Sequence, residues 1–179
     1  MGEEGVRIED LCRQIRVDIL RATHQAGSGH PTSSLSAVEL GAVLFARHLR
    51  YDVSRPDHPG ADRFVLSKGH ATPLLYALYR AIGAIEEEEL LTYRQHGSRL
   101  EGHPTPTLPW VDAATGSLGQ GLSIGVGLAL AARLRGSPSR IFVLCGDSEM
   151  AEGSMWEAAC HAGDQQLGGL VAIVDVNRL

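Results

Sequence analysis

The stretch Ile141-Phe142-Val143-Leu144-Cys145-Gly146-Asp147-Ser148 decides how this chain is read, together with Leu170-Val171-Ala172-Ile173-Val174-Asp175. Each contains an unbroken apolar run of strand length, without the polar alternation of a strand that faces water on one side. Such runs belong to strands covered on both faces, as in a parallel sheet. Between them, 155–162 has helical character and is placed to form the crossover that parallel strands require. A third run, Arg63-Phe64-Val65-Leu66, is short and apolar enough for another buried strand. The expected fold is therefore α/β, doubly wound, a mostly parallel sheet with helices on both faces. In such sheets ligands bind beyond the carboxyl ends of the strands.

Toward the N-terminus, Ile8, Leu11, Ile15, Ile19 and Ala22 recur at three- and four-residue steps, which predicts an amphipathic helix over 8–25. It stops at Ala26-Gly27-Ser28-Gly29-His30-Pro31, and helical spacing resumes over 32–49, with Pro31 suited to a first turn. The polar segment 50–62 is a surface connection and 71–83 a helix. The four carboxylates Glu86 to Glu89 suit the start of a solvated helix and carry no function. Residues 97–116 show little regular patterning and read as a long functional loop, followed by a tightly packed helix over 118–134.

The composition is that of one soluble globular domain: 179 residues, 44% apolar and 21% charged, with a formal charge of −5. No block of Lys and Arg is present, which argues against a nucleic-acid or anionic-membrane surface. The longest apolar run, around 122–132, is far shorter than a bilayer span. Cys12, Cys145 and Cys160 are an odd set without CxxC spacing, so neither a disulfide framework nor a zinc ribbon is indicated and a cytoplasmic location is expected. No targeting segment is evident at the N-terminus.

The sharpest chemical signal is Gly146-Asp147-Ser148 directly after one strand, with Asn177 just beyond the next. If the two strands are neighbours, a carboxylate and an amide oxygen converge on one crevice. Both are hard ligands suited to Mg²⁺ or Ca²⁺, and a phosphate-bridging cation is the natural occupant. The plainer alternative is that Asp147 caps the helix that follows it.

Four further motifs precede this pair: Ser28-Gly29-His30-Pro31, Ser67-Lys68-Gly69-His70, Gly102-His103-Pro104 and Gly116-Ser117-Leu118-Gly119-Gln120-Gly121. After it come Glu149-Met150-Ala151-Glu152-Gly153-Ser154, Trp156-Glu157-Ala158-Ala159 and Val174-Asp175-Val176-Asn177-Arg178-Leu179. In this order, from about Leu11 to Leu179, the chain resembles the transketolases. The resemblance implies the thiamin-diphosphate domain that grips the cofactor's diphosphate and its divalent cation. It also implies transfer of a two-carbon ketol unit from a ketose phosphate to an aldose phosphate, as in the pentose phosphate pathway. Two other readings stay open: a relative resembling 1-deoxyxylulose-5-phosphate synthase or a specialised two-carbon transferase, and a non-catalytic module on the same fold.

Residue roles follow from the same resemblance. Asp147 and Asn177, with the backbone carbonyl of Leu179, match the cation ligands. Gly146, Asp147, Ser148 and Asn177 match the diphosphate site, and Gly116, Ser117 and Leu118 lie where the backbone approaches the aminopyrimidine. His70 and His103 match residues beside the diphosphate and the reacting centre, and His30 one facing the sugar. Neutral imidazole can orient hydroxyls and pass protons near working pH. Glu152 matches a carboxylate whose network reaches a neighbouring active site. The chain departs from the family pattern at Ser148, where Gly is usual, and at Val176, where Asn is usual. His24, His48, His58, His96 and His161 read as solvated or structural.

The carboxylate that activates the cofactor's pyrimidine comes, in the family, from a second domain that these residues do not resemble. The expectation is therefore a transketolase N-terminal portion, cut short at Leu179. A natural short subunit completed by a separate chain is the alternative. Either way a pyrimidine-binding domain is the expected partner, in a homodimer or heterotetramer. The isolated chain is expected to show little or no turnover.

Overall fold

The computed structural model describes residues 7–177, so the expectation at Leu179 lies outside the described residues. Two compact units emerge: one from Met1–Leu49 with Ala71–Gly102, the other from Arg50–His70 with His103–Leu179.

The first unit is helical. Helix α1 (Ile8–Ala26) buries Cys12, Ile15, Ile19 and Ala22 along the stripe that the spacing predicts. It ends at Gly27, whose left-handed backbone (φ 59°) lets the amides of Gly27 and Ser28 bond to the carbonyls of His24 and Thr23. The segment predicted as one helix over 32–49 is instead α2 (Pro31–Leu35), α3 (Val38–Val43) and a π-helical turn over Leu44–His48. The serine hydroxyls explain the break: Ser34 Oγ donates to the His30 carbonyl (2.9 Å) and Ser36 Oγ to that of Ser33 (3.1 Å), competing with a continuous helix. Helix α4 (Thr72–Ala81) is buried over most of its length and is joined to α1 by Arg80, which donates to the buried Asp18 (2.7 Å). Arg80 and Arg21 both reach Glu87 at the start of the four-residue α5 (Glu87–Leu90), so this part of the acidic run is paired.

The second unit holds the sheet. Strands β1 (Arg63–Leu66), β2 (Ile141–Gly146) and β3 (Leu170–Asp175) run parallel in the order β1-β2-β3. Helix α6 (Gly121–Leu134) precedes β2, and α7 (Gly153–Asp164) makes the crossover from β2 to β3. One face of the sheet presents Val65, Ile141, Val143 and Cys145 to Leu122, Val126 and Ala129 of α6 and Met155 and Ala158 of α7. Close helix–sheet approach explains Gly125, where a Cβ would stand 2.5 Å from Val143 Cγ2. On the opposite face Phe64, Leu66, Phe142 and Leu144 are also buried, so β1 and β2 are covered on both sides. Strand β3 departs from the expectation: Val171 and Val174 remain more than a third exposed. Among the described residues it pairs with β2 alone.

At the amino ends of the strands, the fully buried Asp62 accepts from the amides of Arg50 (2.9 Å) and Arg140 (2.8 Å) and from both guanidinium groups. Burial alone would raise its pKa. The arginine hydrogen bonds outweigh that cost and hold the carboxyl well below the usual carboxylate range. This clamp fixes the 50–62 connection to β1 and β2, at the end of the sheet opposite the residues described next.

Candidate diphosphate and cation site

The parallel register sets Gly146 opposite Asp175, so β2 and β3 are neighbours, the condition on which a shared Asp147 and Asn177 crevice depends. The Asp147 amide continues the ladder by donating to the Asp175 carbonyl (3.1 Å). Both side chains stand at the carboxyl edge, each partly exposed. Asp147 also fulfils the plainer role: Oδ1 accepts from the Ser148 amide (2.9 Å) at the start of the 3₁₀ turn Ser148–Ala151. Among the described residues no cluster of three His, Cys, Asp or Glu side chains could hold a metal. A cation at this edge would thus need amide, carbonyl and ligand oxygens beside one carboxylate, a donor set that suits a hard divalent ion carrying a phosphate.

The Gly116–Gly121 turn is pressed against the end of β1. A Cβ on Gly121 would lie 2.3 Å from that of Ser67, and one on Gly69 would lie 2.6 Å from the Gly116 amide nitrogen. Gly116 itself (φ 137°) leaves space filled by the His103 ring, 2.5 Å from where a Cβ would be. Gly119 (φ 88°) abuts Glu152 in the same way, at 2.7 Å. Here the backbone needs both positive φ and the lack of a side chain, which only glycine supplies at no steric cost. Thr115 Oγ1 donates to the Leu66 carbonyl (2.6 Å) and Ser154 Oγ to that of Gly119 (2.9 Å), so the turn is anchored at both sides. Helix α6 accordingly starts at Gly121 rather than at Leu118.

Of the residues singled out in the sequence, this unit therefore brings Gly116 against His103 and the backbone that leads to His70, and Gly119 against Glu152. Gly146 closes β2 with Asp147 and Ser148 just beyond it, and Asn177 follows the end of the neighbouring β3. Ser117 and Leu118 are exposed on the turn, as are His103 and Glu152, whereas His70 is half-buried. His30 belongs to the other unit. There it is exposed at the start of α2, after a turn held by Arg94, which donates to Ser28 Oγ (2.6 Å) from a residue of unusual positive φ (58°).

Three charged residues that lie within the quoted motifs, but to which the sequence reading gives no role, organise the edge. Lys68 Nζ meets Asp175 Oδ2 at 2.6 Å, with both side chains almost fully buried. Glu149 is completely buried: Oε1 accepts from Ser67 Oγ (2.6 Å) and the Gly119 amide (2.9 Å), and Oε2 from the Gly146 amide (2.8 Å). The available signal was chemical rather than periodic: charges directly following buried strands, where only paired groups are tolerated. Burial also pushes the Cys145 thiol up to about 12, which suits an inert core position.

A family model described as "Transketolase, thiamine diphosphate binding domain" matches residues 8–179. The chain is 52% identical over 173 residues to "Transketolase-like protein 2" of Bos taurus and 48% identical over 173 residues to "Transketolase" of Homo sapiens. Each of these alignments takes in 96% of this chain and 28% of the relative. The chain thus spans little more than a quarter of the length of these relatives. One of the subunits of an apulose-4-phosphate transketolase, from Phocaeicola vulgatus, is 40% identical over 92% of this chain and 58% of its own length. Among solved structures, transketolase from Campylobacter jejuni superposes with a TM-score of 0.90 at 32% identity, covering all of this chain and 29% of that one. Transketolase from Leishmania mexicana superposes at 0.88 and 35% identity, over 94% of this chain and 27% of that one.

Proposed function

The chain belongs to the family of transketolase thiamin-diphosphate-binding domains, and from that premise we propose that it grips the diphosphate end of the cofactor for two-carbon ketol transfer between sugar phosphates. The observation that carries the reading is the packing of the Gly116–Gly121 turn against Ser67 and Gly69, beside paired strands that lead into Asp147 and Asn177.

In this reading Asp147 and Asn177 supply side-chain oxygens to Mg²⁺ or Ca²⁺, and the Leu179 carbonyl supplies the third protein ligand. Gly146 and Ser148 offer the turn backbone to the diphosphate, beside Asp147 and Asn177. Ser148 still has an amide to donate in place of the usual glycine, and its exposed side chain has room at the surface. Gly116, Ser117 and Leu118 bring the backbone to the pyrimidine. When bound, thiamin diphosphate supplies the nucleophilic carbon and the electron sink that carbon–carbon cleavage requires. His70 and His103 orient the reacting groups and exchange protons with sugar hydroxyls, and His30 addresses the sugar itself. Glu152 extends a carboxylate network toward a neighbouring site.

The remaining machinery, a pyrimidine-binding domain with its activating carboxylate, comes from a downstream segment or a separate polypeptide. The assembly is a homodimer or a heterotetramer acting on sugar phosphates in the cytoplasm, within the pentose phosphate pathway. The Phocaeicola vulgatus relative carries the name of one subunit of its enzyme, which supports a split arrangement. Among the described residues no helix is long and apolar enough to cross a membrane. Calorimetric titration with thiamin diphosphate, with and without Mg²⁺, tests the reading. The expected result is weak heat that requires the metal and is abolished by Asp147→Asn. Heat that ignores the metal, or its absence at millimolar cofactor, would overturn it.

A further inference from the structure

Glu149 has no role in the reaction as described, yet it joins three separated segments at the sheet's carboxyl edge. Its two oxygens accept three hydrogen bonds, one from the end of β1 through Ser67, one from the 116–121 turn through Gly119, and one from the end of β2 through Gly146. Ser67 and Glu149 are 82 positions apart in sequence, and Gly119 and Glu149 are 30. Local structure therefore does not dictate these bonds. A side chain with no exposed surface that holds two backbone amides fixes the distance between the turns that carry them.

We propose that Glu149 is a positioning residue for the cofactor: it holds the turn that meets the pyrimidine and the turn that meets the diphosphate at one fixed spacing. The inference rests on the diphosphate-binding reading above. The chemistry of the three partners makes it specific. An amide N–H can only donate, and both amides here point at one carboxylate. Glutamine has the same shape but presents an NH₂ at one of the two ends. In either orientation of Glu149→Gln, one backbone N–H, that of Gly119 or that of Gly146, faces another donor and loses its acceptor. The fold can survive this loss in one turn, but the spacing of the two turns cannot. Ser67 differs, because its hydroxyl rotates and can accept as well as donate.

The test uses the full 179-residue chain, thiamin diphosphate with saturating Mg²⁺, and amide hydrogen exchange read residue by residue. Glu149→Gln is expected to weaken cofactor binding by roughly 10- to 100-fold, the range seen when an outer partner of a ligand site is lost. Exchange at Gly119 or Gly146 is expected to speed up, with Val143 in the sheet interior unchanged. Ser67→Ala, which keeps both backbone bonds, is expected to weaken binding by about fivefold, the worth of one net hydrogen bond. It also serves if the glutamine variant does not fold.

Faster exchange with unaltered affinity in either variant would show a purely structural tie and overturn the proposal. Unaltered exchange at both Gly119 and Gly146 in Glu149→Gln would show that the tie does not hold the turns, with the same consequence. Lack of cofactor binding by the wild-type chain, seen before any variant is made, would instead sink the underlying diphosphate reading and the positioning role with it.

Discussion

Lys68 Nζ lies 2.6 Å from Asp175 Oδ2, a buried ion pair that runs from the end of β1, past Gly146 of β2, to the end of β3. Breaking such a pair strands a charge in a nearly dry site, which costs more than the pair itself contributes. Lys68→Ala and Asp175→Asn should each lower the stability of the fold by about 3 kcal/mol. The double replacement Lys68→Ala with Asp175→Asn should cost less than the sum of the two single changes. Urea unfolding of the four proteins measures the cycle, and simple additivity would show that the pair is not coupled.

Asp62 gives the fold a defined acid sensitivity. Its folded pKa is held below the value of about 3.9 expected for an unfolded chain, by hydrogen bonds from Arg50 and Arg140 that overcome its burial. Stability from this group is therefore complete above about pH 4 and is lost as the pH falls from there through the depressed folded pKa. Asp62→Asn should destabilise the chain by roughly 2–4 kcal/mol at neutral pH. It should also flatten the fall in stability between about pH 4 and pH 2, measured by thermal unfolding across that range.

Two glycines of α6 should respond to alanine with opposite signs. Gly121→Ala forces a Cβ to within 2.6 Å of the Ser67 backbone and should destabilise by roughly 1–3 kcal/mol. Gly127 sits in the same helix with nothing within 4 Å of its Cβ position, so Gly127→Ala should stabilise by about 0.5–1 kcal/mol through helix propensity alone. Thermal midpoints that move in the same direction for both would contradict the packing described.

Thiol reactivity should separate the cysteines. Cys160 is exposed on α7, whereas Cys145 lies in the core with its thiol pushed up to about 12 by burial, and Cys12 is raised by burial as well. Iodoacetamide at about pH 8 should modify Cys160 alone in the folded chain, and all three after denaturation. Peptide mass spectrometry reads the difference.

The strands and α1 were legible because burial writes itself into local patterns. Unbroken apolar runs located β1, β2 and β3, and the three-four spacing of Ile15, Ile19 and Ala22 located α1. Segment 31–48 was less so, since its serine hydroxyls redirect the backbone without disturbing the apolar spacing. The Asp147 and Asn177 edge could be placed once two adjacent parallel strands were inferred. The choice of partner, as of Lys68 with Asp175 107 positions apart, left no local trace, although the buried strands they follow marked each charge as needing one. Neither did the three bonds of Glu149, because a carboxylate in a first helical turn has the same sequence signature whether it faces water or holds a core together. The exposure of Val171 and Val174 was likewise illegible, since both look interior in sequence.

Gly69 and Gly116 meet main chain to main chain, with no side chain between them to yield. A change of shape in one turn is therefore transmitted directly to the other, and substitutions in the two should combine non-additively. Anyone who wishes to reshape this edge of the sheet for another ligand must transplant Ser67–His70 and Gly116–Gly121 as a matched set, because either half grafted alone would arrive with a misfitting counterpart.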